Sequence, residues 1–374
     1  MCRRSRPLRL ALSILLVTAV AAGASEVQRG YAGKAGAPRG KIDLTKPDQA
    51  ETPGTRAAKL PGERANVFDS AQRALPLSEL PLKPRAAGPR SAADIKRALV
   101  TTSVTRDGRV EKYELSPAMQ RRILEGIRLL EREKNRAGGV KIGAGAREGG
   151  GGPRPPREQR QVLGSDDRER VTDTTVFPFR AMGYLGTGCS GTLVGPRHVL
   201  TAGHCVYNTK TDKWYENVDF WPGQNGEESP YGRVAWKRTV SVQGWTRDHE
   251  PGYDYGMVIL QEDVGRQVGW LGFGYKEPMP LYSINFVGYP GDKPKHTMWR
   301  QYCDIKEVTD TELFYDCDNT PGMSGGPLYV YTQDDNERTI YGINAYQYFN
   351  REINSGTRID RARFEVIRGW TRSY

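Results

Sequence analysis

Three short stretches carry residue types that together perform one chemistry. Thr320-Pro-Gly-Met-Ser324-Gly325-Gly326-Pro327 sets a serine on a glycine-rich turn. A nucleophilic serine needs an exposed hydroxyl and backbone N–H groups aimed at the oxyanion that develops beside it. Gly322 permits unusual backbone geometry before the serine, and Gly325-Gly326 let the chain bend away without side-chain obstruction. Val199-Leu-Thr-Ala-Gly-His204-Cys205 places a histidine straight after an apolar run and a small-residue turn. That is where a general base can be held at a fixed angle. Tyr253-Asp254-Tyr-Gly-Met-Val-Ile-Leu260 puts a carboxylate immediately before an apolar run, positioned to orient an imidazole. Taken singly, each has a plain alternative: a glycine-rich turn, a core histidine beside a structural cysteine, a solvated turn aspartate. Taken together, in the order His, Asp, Ser, they match one of the chain orders that convergent triads use, and His204, Asp254 and Ser324 are the expected catalytic residues.

Such a triad needs rigid elements, and the chain after Gln161 supplies them. Short apolar or aromatic runs recur between Gly, Pro, Asn and Asp: Arg180 to Leu185, Ser190 to Val194, Val199 to Thr201, Met257 to Leu260, Ile284 to Val287, Leu328 to Tyr331 and Ile340 to Ala345. Strands at this spacing without amphipathic helices between them indicate an all-β sandwich or barrel. The end of the chain differs. Ile359, Phe364, Ile367 and Trp370 within a charged segment predict a C-terminal helix packed on the body.

The first 161 residues have another texture. Residues 1–24 are expected to be an export signal: Arg3, Arg4, Arg6 and Arg9 precede an apolar run from Leu10 to Ala22, and Ala22-Gly23-Ala24 offers a cleavage site. The run falls short of the roughly 20 residues that span a bilayer, so no membrane attachment is expected once the signal is cut. Residues 25–161 form a basic propeptide and linker. Positions 25–90 are rich in Pro, Gly, Ala and Arg and are expected to be disordered. Between Ser91 and Glu133, Ile95, Leu99 and Val100 suggest a short element and Met119, Ile123, Ile127 and Leu130 follow helical spacing, together a small helical hairpin. Residues 138–160 are a Gly/Pro/Arg linker expected to be open to proteolysis.

Charge divides at the same place. Residues 1–161 hold 32 Lys/Arg against 16 Asp/Glu, whereas 162–374 hold 23 against 28. The overall net charge of +11 therefore belongs to the leading part, and the domain itself is not expected to bind nucleic acid. Removing Cys2 with the signal leaves Cys189, Cys205, Cys303 and Cys317. Four cysteines in an exported chain suggest two disulfides among three possible connectivities. The sequence-adjacent pairing is expected, with Cys189–Cys205 closing a hairpin around the histidine. No zinc-type ligand cluster and no cofactor motif is present, so neither metal nor cofactor is expected.

Residues 162–374 resemble the bacterial glutamyl endopeptidases, a branch of the chymotrypsin-like serine proteases. Beyond the three stretches above, the likeness covers Val162-Leu-Gly-Ser-Asp-Asp-Arg-Glu-Arg-Val-Thr-Asp-Thr-Thr175, Gly288-Tyr-Pro-Gly-Asp-Lys293 and Gly356-Thr-Arg-Ile359. It implies two six-stranded β-barrels with the active site between them, an oxyanion hole from the N–H groups of Gly322 and Ser324, and activation by propeptide removal near Gln161/Val162. It also implies a secreted, monomeric zymogen whose partners are protein or peptide substrates and an activating protease.

Three positions depart from relatives. Met323 stands before the serine, where pancreatic-type enzymes have an aspartate that pairs with the freed N-terminus. Asn344 stands where glutamate-specific relatives carry a histidine. Asn319 replaces a frequent threonine, and Asp318 before it sits where trypsin-like enzymes hold a carboxylate for basic side chains. Val162, Asp318, Asn319 and Asn344 are thus the expected substrate-binding residues. Cleavage after acidic residues is the expectation, with basic or broad specificity as its rival. A catalytically silent binding protein on a protease scaffold is the reading from another class, and a basic adhesion or nucleic-acid protein a third.

Overall fold

The computed structural model describes residues 67–69, 73–74, 91–136, 162–348 and 353–374. The expected export signal, most of residues 25–90, the linker at 138–160 and Gln161 lie outside the described residues.

Ahead of the domain, strand β1 (Phe68–Asp69) is followed by helix α1 (Ala92–Ala98), strands β2 (Thr101–Thr105) and β3 (Val110–Tyr113), and helix α2 (Pro117–Arg136). Ser91 caps α1, its hydroxyl oxygen accepting from Asp94 N at 3.1 Å. The expected helical hairpin is therefore two helices with a β-hairpin between them. Thr101-Thr-Ser-Val-Thr105 is rich in β-branched residues that favour a strand, and Gly108 at φ +80° makes the turn. The hairpin gains stability because β2 pairs antiparallel with a strand of the domain, from Arg238↔Thr105 to Val242↔Thr101.

The domain opens with the short strand β4 (Glu169–Arg170), then β5 (Met182–Leu185), β6 (Ser190–Gly195), β7 (His198–Thr201), β8 (Tyr207–Asn208), β9 (Lys213–Tyr215), β10 (Phe220–Pro222), β11 (Trp236–Val242) and β12 (Gly256–Leu260). The strand order β10-β5-β6-β7-β12-β11 makes the first barrel, and a bridge from Phe220 to Val234 brings its two ends together. Strands β2 and β3 continue this sheet outward from β11. Leu193, Val199, Val240 and Val258 fill its interior, each wholly buried.

After β13 (Gly272–Phe273) come β14 (Ser283–Gly288), β15 (Trp299–Val308), β16 (Glu312–Tyr315), β17 (Pro327–Thr332), β18 (Glu337–Tyr348) and β19 (Ile353–Arg358). Pairings β14–β15–β16–β19–β18–β17–β14 close a six-stranded ring around Ile284, Phe286, Leu313, Tyr315 and Leu328. This is the chymotrypsin-like double barrel that the sequence resemblance implies. Helix α3 (Arg361–Ser373) ends the chain, capped by Asp360 accepting from Arg363 N at 2.8 Å, and buries Phe364, Ile367 and Trp370 as expected.

Candidate active site

His204 follows β7 on a single turn of 3-10 helix over Gly203–Cys205, and Asp254 immediately precedes β12, the neighbour of β7 in the sheet. Sheet pairing thus brings together residues 50 apart in sequence. Both oxygens of Asp254 bind His204: Oδ2 lies 2.8 Å from the ring Nδ1, and Oδ1 accepts from the backbone N at 2.7 Å. The carboxylate is fully buried and the histidine is 1% exposed, so the pair is shielded from competing water. A Cβ at Gly203 would stand 2.9 Å from Asp254 Oδ1 and from the Trp245 ring, so only glycine lets the turn approach this closely. Thr357, in the motif Gly356-Thr-Arg-Ile359, donates to the backbone carbonyl of Asp254 at 2.9 Å and fixes it from the second barrel.

Ser324 sits between β16 and β17, on the loop flanked by Gly322 at φ +99° and Gly325 at φ +82°. A side chain at Gly322 would meet the Tyr289 carbonyl at 2.4 Å, and one at Gly325 would meet Thr201 Oγ1 at 2.1 Å. Around the serine the backbone N–H groups divide in two. Met323 N donates to Thr320 O, Gly325 N to Asn344 O and Gly326 N to Met323 O. The N–H groups of Gly322 and Ser324 donate to no backbone carbonyl among the described residues.

Ser190, at the start of β6, joins this loop to the histidine. Its N–H donates to Ser324 O at 2.8 Å, and its hydroxyl donates to Gly322 O at 2.8 Å while accepting from Tyr289 N at 2.9 Å. Its neighbour Cys189 is bridged to Cys205, next to His204. The bridge Cys189–Cys205 and the bridge Cys303–Cys317 are the expected pairing. Nothing in the sequence marked Ser190; a serine after a cysteine at a strand start is too common a signal.

Arg168 was equally unmarked, inside the segment 162–175. Its side chain is fully buried. It binds Asp166 through Nε and NH2 at 2.9 and 2.8 Å, Asp292 through NH1 and NH2 at 3.0 and 2.7 Å, and Thr320 Oγ1 at 3.1 Å. NH1 also lies 3.9 Å from the Met323 sulfur. Two carboxylates and a hydroxyl compensate a guanidinium that burial would otherwise disfavour, and the Arg168 guanidinium, with Lys293 beside it, in turn holds the Asp166 carboxyl well below its usual range. Asp292 belongs to Gly288-Tyr-Pro-Gly-Asp-Lys293 and also accepts from Thr320 Oγ1 at 2.7 Å. This family motif therefore buttresses the serine loop.

The expected substrate-binding residues take other partners. Asp318 is 1% exposed; Oδ1 accepts from Leu163 N at 2.7 Å and Oδ2 lies 3.9 Å from Arg168 Nε. Burial raises its carboxyl above the usual value, with the Leu163 N–H opposing. Asn344 is wholly buried and donates both amide hydrogens inward, to Asn319 Oδ1 at 3.0 Å and Met323 O at 2.9 Å, while its oxygen accepts from Tyr315 OH. Asn319 donates to Tyr346 O at 3.1 Å. Asn344 thus has no N–H left for a substrate, because the position that a histidine fills in relatives here braces the serine loop. Val162 is half-buried beside Leu163.

With this geometry stands a match of the trypsin family model to residues 168–363, which contain all three triad candidates. The chain belongs to the trypsin family. The glutamyl endopeptidase of Bacillus licheniformis is 34% identical over 236 residues, 58% of this chain and 71% of that protein. A solved structure of a Glu endopeptidase in complex with MPD superposes with a TM-score of 0.53 at 27% identity, covering 57% of this chain and 100% of that one. This trypsin-family chain is accordingly a serine protease.

A Bacillus subtilis relative, 34% identical over 56% of this chain and 69% of its own length, bears the name extracellular metalloprotease. The residues here do not fit a metal centre of that kind. Among the described residues, the one group of three potential ligands is Cys189, His204 and Cys205. Its two cysteines are bridged to each other and offer no thiolate, and the histidine Nδ1 faces Asp254.

Proposed function

We propose that this chain is a secreted serine endopeptidase, made as a zymogen, that cleaves after acidic residues through an acyl-enzyme. Ser324 Oγ attacks the scissile carbonyl carbon while its proton passes to His204 Nε2. Asp254 holds Nδ1–H, fixing the tautomer and stabilising the imidazolium without taking the proton. The oxyanion lies against the N–H groups of Gly322 and Ser324. Collapse breaks the C–N bond, His204 returns its proton to the leaving amine, and water then repeats the sequence on the ester. The observation that carries this reading is the double hold of Asp254 on His204, at 2.8 and 2.7 Å in a buried setting. A silent binding protein would be favoured by loss of one triad residue, and all three are present.

One observation, and one consequence of the proposed cleavage, support acidic over basic preference. Asp318, the residue on which basic specificity would depend, is buried and engaged by Leu163 N–H. Cleavage at Gln161 or Val162 would free an amine within two residues of that contact, adding a positive charge close to the wall formed by Asp318 and Asn319. Secretion is supported by the apolar run at Leu10 to Ala22 and by two disulfides, which persist in oxidising compartments, and zymogen maturation by the Gly/Pro/Arg linker that precedes the family-like segment starting at Val162. Substitution tests the reading: Ser324→Ala and His204→Ala should each lower kcat by about 10⁴-fold or more with the fold retained. Turnover surviving in Ser324→Ala would refute it.

A further inference from the structure

By sequence, residues 91–136 belong to the part expected to be cut away, yet they are built into the catalytic body. Strand β2 pairs with β11 over five residues, and two backbone bonds extend the seam: Gln243 N to Val100 O at 2.8 Å and Arg106 N to Lys237 O at 3.1 Å. Leu99, Val104 and Ile123 are each buried to 1% exposure or less, in the same apolar cluster as Val240, Val242 and Trp370. Trp370 of the terminal helix donates to Thr101 Oγ1 at 2.9 Å.

Charge and shape agree across the seam. Arg238 NH1 binds Glu111 at 2.6 Å and Ser103 Oγ at 2.7 Å, and Arg122 pairs with Glu365 at 3.2 Å. Helix α2 crosses α3 at two glycines. A Cβ at Gly126 would meet Arg361 Cδ at 2.2 Å, and one at Gly369 would meet Met119 Cε at 2.9 Å. Residues 91–136 carry eleven Lys/Arg against seven Asp/Glu, complementing the 23 against 28 of residues 162–374. Without them β11 would present an open strand edge and the face of α3 would lose its cover, a combination that invites pairing with other chains.

We propose that residues 91–136 stay bound after maturation, so that the active protein is two non-covalently joined chains. The N-terminal chain supplies the outer two strands of the first barrel's sheet and the cover of α3. This rests on the proposed cleavage between residues 136 and 162, and not on any chemistry at Ser324. Maturation then separates the chain ends without separating the pieces, and the product shows two N-termini rather than one beginning at Gln161 or Val162.

The test uses the full-length chain carrying Ser324→Ala, which removes the proposed nucleophile, with a recognition sequence for an unrelated protease in place of residues 149–152. After cutting, native gel filtration followed by a denaturing gel should show both fragments in equal amounts in one peak. Hydrogen exchange should show the amides of Thr101 to Thr105 still protected. Recovery of the N-terminal fragment apart from the catalytic fragment, whether the latter stays soluble or precipitates, overturns the proposal. A failure of this kind leaves the protease reading untouched, since activity is not measured.

Discussion

Arg168 clasps both oxygens of Asp292 at 2.7 and 3.0 Å, and the same guanidinium reaches Thr320 and Met323 on the loop that carries Ser324. In pancreatic-type enzymes an aspartate before the serine awaits a freed amine. Here that position is a methionine, and an internal cation six residues after Val162 is already in place. The loop is thereby braced from within the chain.

Arg168→Gln should therefore act twice. It leaves Asp292 and Asp166 without their buried partner, a loss of about 3–5 kcal/mol of the kind seen when one member of a buried ion pair is removed. It should also lower kcat more than it raises KM, because the N–H groups of Gly322 and Ser324, the proposed oxyanion donors, lose their support. Arg168→Lys, a cation without the bidentate fork, should restore stability partly and kcat less. Thermal melts together with kcat and KM for the two variants check this. Equal activity in Arg168→Gln would contradict a bracing role.

Much of the site was legible because its chemistry is local in sequence. The glycines around Ser324, the small turn before His204 and the acidic residue before β12 each sit beside the group they serve. The strands that carry them showed as short apolar runs. Ser190, Arg168 and Asp292 were not legible, since each acts on the serine loop from a distant part of the chain, 132, 152 and 28 residues away respectively. Strand β2 was missed for a related reason: Thr101 to Thr105 becomes a strand because β11 offers it an edge, and that edge is 133 residues downstream at the closest register pair, Arg238↔Thr105. The amide of Asn344 was visible, but its direction was not, because three partners outside its own strand determine it.

The proposed acidic preference rests on Asp318 being buried, with one oxygen held by Leu163 N–H and the other 3.9 Å from Arg168 Nε. Matched substrates with Glu or Arg before the scissile bond should give a kcat/KM ratio in favour of Glu. An open, charged Asp318 would instead repel Glu by about 4 kcal/mol at 4 Å and an effective dielectric near 20, close to a thousandfold. Asp318→Ser should leave the preference for Glu in place and lower stability, because Leu163 N–H loses its acceptor. A ratio favouring Arg, abolished by Asp318→Ser, would refute the acidic assignment.

His198 gives a pH dependence unrelated to catalysis. It is buried on β7, neither ring nitrogen has a hydrogen-bond partner among the described residues, and burial, reinforced by Arg197, brings its pKa down from 6.5 to about 4. The unfolded chain therefore takes up this proton first as pH falls. The stabilisation is fully present above about pH 6.5 and is lost as pH falls toward 4, amounting to about 3 kcal/mol at most. Unfolding titrations at pH 7 and pH 4.5 should show a smaller acid loss in His198→Leu than in the parent. An identical loss would show that other groups account for it.

The bridge Cys303–Cys317 ties β15 to the segment that follows β16, over a separation of 14 residues. Replacing both cysteines by alanine should lower stability by about 3 kcal/mol in the chain-entropy treatment while leaving kcat nearly unchanged. Denaturant midpoints and turnover measured on the same preparation separate the two effects.

Ser324, activated by His204, is the proposed nucleophile, and stoichiometric labelling by an organophosphonate tests this role most directly. The mature protein should gain one adduct per molecule, mapped by mass spectrometry to the peptide containing Ser324, with loss of activity in step. His204→Ala should slow the labelling by orders of magnitude, and Ser324→Ala should abolish it. An adduct on another residue, or full inactivation with Ser324 unmodified, would contradict the account.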